Sequence, residues 1–89
     1  MKDTISLRVL TDAGLAMEDE AVSVIAPGEV GYLGVLHNHA PLITPLVPGT
    51  LTWKRRDGSL RTAKVGAGLL EVLRNRLTIL TDSFVPPTS

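Results

Sequence analysis

The sequence predicts an all-β fold, a small antiparallel β-sandwich of short strands, and three observations carry that prediction. Apolar and polar residues alternate with period two, as in Ile5-Ser6-Leu7-Arg8-Val9, which is the pattern of a strand with one buried face. Turn residues separate such segments at short intervals, Asp57-Gly58 and Arg74-Asn75-Arg76 among them. Prolines at 41, 45 and 48 exclude a helix through residues 40–50, because an interior proline removes a helical hydrogen bond and clashes with the turn before it.

Taken in order, the first strand covers residues 5–9 and ends at the turn Thr11-Asp12-Ala13-Gly14. Residues 14–20 (GLAMEDE) admit either one helical turn or an irregular strand, and Glu18-Asp19-Glu20 reads as a solvated edge. Residues 21–26 (AVSVIA) are β-branched and strand-like up to Pro27-Gly28. Glycines at 28, 31 and 34 then suit neither a packed helix nor an uninterrupted strand, and they read as tight turns and bulges. The prolines divide the middle of the chain into short extended pieces.

The second half is a clear antiparallel pattern. Residues 50–55 and 59–65 flank Asp57-Gly58, a dipeptide whose two residues both tolerate positive φ in a tight hairpin. Residues 69–73 and 77–80 flank Arg74-Asn75-Arg76, with Asn75 the expected left-handed residue. The reading therefore gives one domain over residues 1–83 and an extended tail over 84–89.

Composition narrows the function. The 89 residues have room for one core, and with no cysteine that core has no disulfide to brace it. Formal net charge is zero, which removes any global attraction to nucleic acid or anionic lipid. Aromatics are limited to Tyr32, Trp53 and Phe84, leaving Leu, Val, Ile and Ala to build the core. No apolar run approaches the roughly 20 residues needed to span a bilayer, and the alternation after Lys2-Asp3 is not a signal peptide.

The chemistry-bearing motifs are incomplete. His37 and His39 share a strand face, but zinc needs three or four ligands and the sequence offers no cysteine or second histidine pair. The glycines at 28, 31 and 34 lack the helix that would present aligned N–H groups to a phosphate. Lys54, Arg55, Arg56, Arg61 and Lys64 make a basic hairpin with only Trp53 as a stacking surface; charged edges of this kind commonly guard against aggregation. No nucleophile, base and orienting group stand together. No catalytic, cofactor-binding or metal residue is expected, and the chain is read as a non-enzyme.

One stretch carries a resemblance. Ala26-Pro27-Gly28-Glu29-Val30-Gly31-Tyr32-Leu33-Gly34-Val35-Leu36, followed by His39-Ala40-Pro41-Leu42-Ile43-Thr44 and Pro48-Gly49, closely resembles the N-terminal domain of F-type ATP synthase ε subunits. Val65, Gly68, Glu71-Val72, Asn75, Thr78-Ile79-Leu80 and Asp82 extend the match to nearly the whole chain. His37-Asn38 stands where the family has Pro-Gly, and Asn keeps access to a left-handed turn. Ala67 replaces a usual glycine and Leu69 a common aromatic. Family members typically continue into two regulatory helices, whereas this sequence stops at Ser89, which reads either as a naturally short form or as the isolated first domain of a longer subunit.

The resemblance implies a non-catalytic rotor subunit at the cytoplasmic face of a bacterial inner membrane, held there by the complex without entering the bilayer. Such a domain clamps the γ subunit to the ion-driven c-ring, so that rotation reaches the catalytic head. Position by position, Gly28, Glu29, Val30, Gly31 and Tyr32 would meet the ring, whose polar loops generally carry a basic residue. His39 and Thr44 would face γ. The alternative from another class is a small all-β module that binds nucleic acid or saccharide.

Overall fold

The computed structural model describes residues 3–87. Residues 1 and 2 of the expected domain, and 88 and 89 of the expected tail, lie outside the described residues. Ten strands follow in chain order: β1 (Ile5–Thr11), β2 (Gly14–Ala21), β3 (Ser23–Gly28), β4 (Gly31–Leu36), β5 (Leu42–Leu46), β6 (Gly49–Lys54), β7 (Leu60–Val65), β8 (Gly68–Leu73), β9 (Arg76–Thr81) and β10 (Phe84–Val85). No helix among the described residues is long and apolar enough to cross a membrane.

Pairing follows the order β10-β7-β6-β3-β5-β8-β9-β1-β2, with β4 on the other side of β3. The link between β3 and β5 is a single residue pair, Gly28 with Leu46. The sheet therefore folds there into two layers, β2-β1-β9-β8-β5 and β4-β3-β6-β7-β10. Between them lie Ile5, Leu7, Val9, Val24, Val35, Leu51, Trp53, Leu70, Val72, Leu77 and Ile79, all almost fully buried. They are the alternate residues of their strands, so the period-two pattern sets which side chains fill the core. Truncating a central leucine such as Leu51 or Leu77 to alanine costs about 2–5 kcal/mol, a large share of what so small a domain has.

Several elements differ from the sequence reading. Residues 14–20 form a strand, because pairing with β1 brings Ala21 into the core and Met17 against it. The expected strand over 21–26 is broken at Val22, whose N–H donates to the Lys54 carbonyl at 2.8 Å. The glycine-rich stretch has one tight turn and then an unbroken strand, β4. Asp57-Gly58 is not a two-residue turn with paired positive φ. Only Gly58 is left-handed (φ 88°), and its N–H donates to the Arg55 carbonyl at 2.9 Å, the pattern of a three-residue hairpin loop.

At the next hairpin both Arg74 (φ 52°) and Asn75 (φ 61°) are left-handed, the two-residue form whose twist matches its strands. The pairing of β1 with β9 is parallel, the one such pair among the described residues. Phe84-Val85 continues the sheet by pairing with Val65 and Lys64.

Candidate partner-binding site

The β3–β4 hairpin closes on the pair Gly28 and Gly31. Gly31 has φ 133°, a conformation that L side chains rarely adopt, so glycine is required there. Glu29 and Val30 form the tip, and Val30 is as exposed as a free residue, at 101%. The base is fastened on both sides: the Pro27 carbonyl accepts the Val47 N–H at 3.0 Å, and Tyr32 reaches across to β6.

Continued past Ile25 and Thr52, the β3–β6 register would set Pro27 opposite Thr50, but pairing stops before that point. Proline has no N–H to give. The Thr50 N–H donates instead to the Tyr32 hydroxyl at 3.0 Å, and a Cβ at Gly49 would crowd both that hydroxyl and Pro27. Of the five residues expected to meet a ring, Glu29, Val30, Gly31 and Tyr32 are exposed, whereas Gly28 is buried under Leu33. Tyr32 is thus both an exposed ring and a structural strut.

Five connections gather at this end: residues 12–13, 29–30, 47–48, 66–67 and 82–83. Their charged residues are Asp12, Glu29 and Asp82, all acidic. The connections at the opposite end carry Arg55, Arg56 and Arg74 together with His37 and His39, balanced by Asp57. The connections taken by themselves are acidic at one end and mostly basic at the other, although Asp3 and Asp19 approach the arginines of the basic end and Lys64 donates to Thr50 near the acidic one. Sequence reading missed this because the three acids lie far apart and only the topology collects them.

His39 and Thr44 are not brought to the glycine hairpin. His39 sits beyond the far end of β4, in a turn closed by its N–H donating to the Leu36 carbonyl at 3.1 Å, with Asn38 left-handed at φ 67°. The Pro-Gly replacement at 37–38 therefore keeps a left-handed residue where the turn needs one. The imidazole Nδ1 lies 2.6 Å from the Ala40 carbonyl oxygen, so it is the protonated nitrogen and donates. Thr44 lies in β5, half-buried, on the same side of the strand as Leu42 and Leu46.

Other constellations are absorbed by the fold. Among the described residues no three His, Cys, Asp or Glu side chains converge as a metal set would. Trp53 is buried and its indole N–H donates to Asp19 at 2.8 Å, so it offers no stacking face. Arg55 approaches Asp19 at 3.4 Å and Arg56 approaches Asp3 at 3.3 Å. Asp19, Arg55 and Arg56 line an open cleft of about 350 Å³ with Thr4, Glu20 and Asp57, and the Thr4 hydroxyl donates to Glu20 at 2.9 Å. Two of the hairpin's basic residues, Arg55 and Arg56, thus face acids from elsewhere in the chain.

Residues 4–87 match a family model described as ATP synthase, Delta/Epsilon chain, beta-sandwich domain. The chain is 44% identical over 80 residues to the ATP synthase epsilon chain of Moorella thermoacetica, which spans 90% of this chain and 60% of that protein. It is 39% identical over 83 residues to the ATP synthase epsilon chain of Desulfosudis oleivorans, 93% of this chain and 62% of that one. The chain thus spans about three-fifths of the length of the curated relatives it matches. Its fold resembles a chain of the Euglena gracilis mitochondrial ATP synthase (OSCP/F1/c-ring in rotational state 1), with TM-score 0.88, 20% identity, and coverage of 97% of this chain and 55% of that chain. A chain of the Tetrahymena thermophila mitochondrial ATP synthase central stalk/c-ring gives TM-score 0.72, 14% identity, and coverage of 96% and 68%. At these identities the likeness to the solved structures is one of fold.

Proposed function

The chain belongs to the ATP synthase Delta/Epsilon chain β-sandwich family, and from that premise we propose that it is a non-catalytic central-stalk part of an F-type ATP synthase. It works on the cytoplasmic side of a bacterial inner membrane, meets the bilayer only through the complex, and transmits c-ring rotation to γ. The acidic hairpin end faces the ring, with Glu29, Val30, Gly31 and Tyr32 in contact, and His39 and Thr44 lie toward γ.

The observation that supports the ring placement most directly is the acidity of the connections at the hairpin end. Asp12, Glu29 and Asp82 share one end with no basic connection residue beside them, which suits ring loops that carry a basic residue. A rotor clamp needs rigidity under torque, and the hairpin has it: Tyr32 and Val47 tie its base to β6 and to the segment before it. The test is reconstitution of the enzyme with this chain carrying Glu29→Lys. Ion pumping and binding to the isolated ring are expected to fall while the melting of the free domain stays put. Unchanged pumping and ring binding by the folded variant would remove the hairpin from the ring contact.

A further inference from the structure

The outer face of the β2-β1-β9-β8-β5 layer holds five of the large apolar side chains that the fold leaves uncovered. Leu15, Ile43, Leu69, Leu73 and Leu80 are each between 41% and 64% exposed. Strand register arranges this face in rows. Pro45, Leu69, Leu80, Leu10 and Leu15 pair one with the next across all five strands, an unbroken apolar row. Two residues along each of the four inner pairings runs a second row: Ile43, Glu71, Thr78, Arg8 and Glu18. Leu7, Val9, Leu70, Val72, Leu77 and Ile79 are buried between the layers, so alternation puts both rows outside.

The rows carry a two-fold pattern. β9 is the middle strand of the five, and an axis along it exchanges β8 with β1 and β5 with β2. A second copy laid face to face about that axis brings Leu80 against its own mate and Leu69 against Leu10. In the second row the same operation brings Arg8 against Glu71 and Glu71 against Arg8. One rotation thus creates two opposite-charge pairs beside an apolar row. A self-complementary patch is what a two-fold dimer requires, and stacked sheets with nearly aligned strands are a common packing.

Both charged groups are open to such a contact. Arg8 Nε lies 3.6 Å from Glu18 Oε2, outside hydrogen-bond range, and the Arg8 side chain is 40% exposed. Glu71 is exposed and has no hydrogen-bond or ion-pair partner among the described residues. The other layer offers no equivalent. Its strands β3, β4, β6, β7 and β10 include Lys54, Arg61 and Lys64 but no acid, so a second copy there would meet like charge.

We propose that the free chain associates with a second copy through this face, with Arg8 of each copy against Glu71 of the other. The pairing covers apolar surface that would otherwise stay open to non-specific contact. Five strands at about 4.8 Å spacing make a face only about 20 Å wide, which is small for a permanent interface. The axis also brings Arg76, at the outer start of β9, toward its own mate, a like-charge contact at the rim. The dimer is therefore weak and exchanges with monomer.

Sedimentation equilibrium across micromolar to millimolar chain concentrations, with thermal melting of each variant, tests this. The native chain is expected to pass from monomer to dimer over that range. Arg8→Glu sets acid against acid and should weaken the dimer at least tenfold. Arg8→Glu combined with Glu71→Arg should recover the loss. That recovery cannot come from the contact within one chain, because residue 18 is still an acid beside the new glutamate. Arg76→Ser should strengthen association. Leu80→Lys places two like charges on the axis and should abolish it, and it decides the matter if Arg8→Glu fails to fold. A native chain that stays monomeric at every concentration overturns the proposal. So does a dimer that survives in folded Arg8→Glu or Leu80→Lys, and a folded double variant without recovery overturns the pairing of Arg8 with Glu71. None of these outcomes bears on stalk membership.

Discussion

Asn38 and Asn75 clasp each other across two turns, with the Asn38 N–H donating to the Asn75 Oδ1 at 2.6 Å and the Asn75 side-chain amide returning a bond to the Asn38 Oδ1 at 3.2 Å. Both residues are left-handed, at φ 67° and 61°. The Asn75 carbonyl also accepts the Ser6 N–H at 2.9 Å, so one residue joins the β8–β9 hairpin, the β4–β5 turn and the start of β1. Asn is the residue type that tolerates left-handed backbone and still offers an amide to a neighbour.

The first prediction separates those two contributions. Asn75→Ala loses both amide bonds and forces alanine into a left-handed conformation, for a destabilisation of about 2–3 kcal/mol. Asn75→Gly keeps the backbone conformation and loses only the amide bonds, costing about 1 kcal/mol. Thermal melting distinguishes them, since each kcal/mol shifts a domain of this size by about 4–8 °C. Equal losses would show that the left-handed backbone contributes nothing to the difference.

Tyr32 yields the second prediction. As an exposed loop residue it would be free to change without harm to the fold, but its hydroxyl is the acceptor for the Thr50 N–H. Tyr32→Phe should therefore cost the free domain about 1 kcal/mol while keeping an aromatic ring at the position paired with Pro27, and Tyr32→Ala should cost more. Glu29→Lys, at the exposed tip, should change stability by no more than about 0.5 kcal/mol. Denaturant melts of the three variants provide the measurement. A Phe variant as stable as the native chain would mean that water replaces the hydroxyl.

Local rules made much of the fold legible. Alternation placed Ile5, Leu7 and Val9 in the core, and Asn75 fell in the left-handed position expected of it. What the sequence could not show is long-range. Nothing local tells that β1 pairs in parallel with β9, because that choice depends on where a distant hairpin packs. For the same reason the acids at 12, 29 and 82 did not read as a group, and Trp53 looked available until Asp19 on β2 was seen to hold its indole. The glycine stretch misled in a different way. Gly28, Gly31 and Gly34 look like one motif, yet they have three separate reasons: a close approach, a left-handed turn, and an open face.

The third prediction concerns acid pH. Hydrogen bonds from the Ser59 hydroxyl and then the Ser59 N–H, at 2.6 and 2.9 Å, hold the Asp57 carboxyl below its usual value of 3.8. A carboxylate with a depressed folded pKa adds stability that is present above the unfolded value and disappears as pH falls through the folded one. Asp57→Asn keeps an acceptor for Ser59 but has nothing to titrate. Melts from pH 6 down to pH 2 should show the native chain losing an increment below pH 3.8 that the variant does not lose. Parallel curves would mean that the turn is indifferent to this proton.

The final prediction uses the sole tryptophan as its own reporter. Trp53 is buried in the core, and its indole N–H donates to Asp19 Oδ2, which also lies 3.4 Å from the Arg55 guanidinium. Because Trp53 is on β6 and Asp19 on β2, this contact pins the edge strand of one layer to the other. Asp19→Ala leaves a buried indole donor without its acceptor and Arg55 without its partner, which should destabilise the domain by about 1–3 kcal/mol. Asp19→Asn, with an amide oxygen in the same place, should recover most of that loss, because the bond to the indole matters more than a partly exposed ion pair. Fluorescence-monitored unfolding reads both effects, as Trp53 emission shifts to the red when it meets water. If Asn were as damaging as Ala, the charge pairing with Arg55 would be the dominant contribution; if neither changed the midpoint, β2 would be held by its pairing with β1 alone.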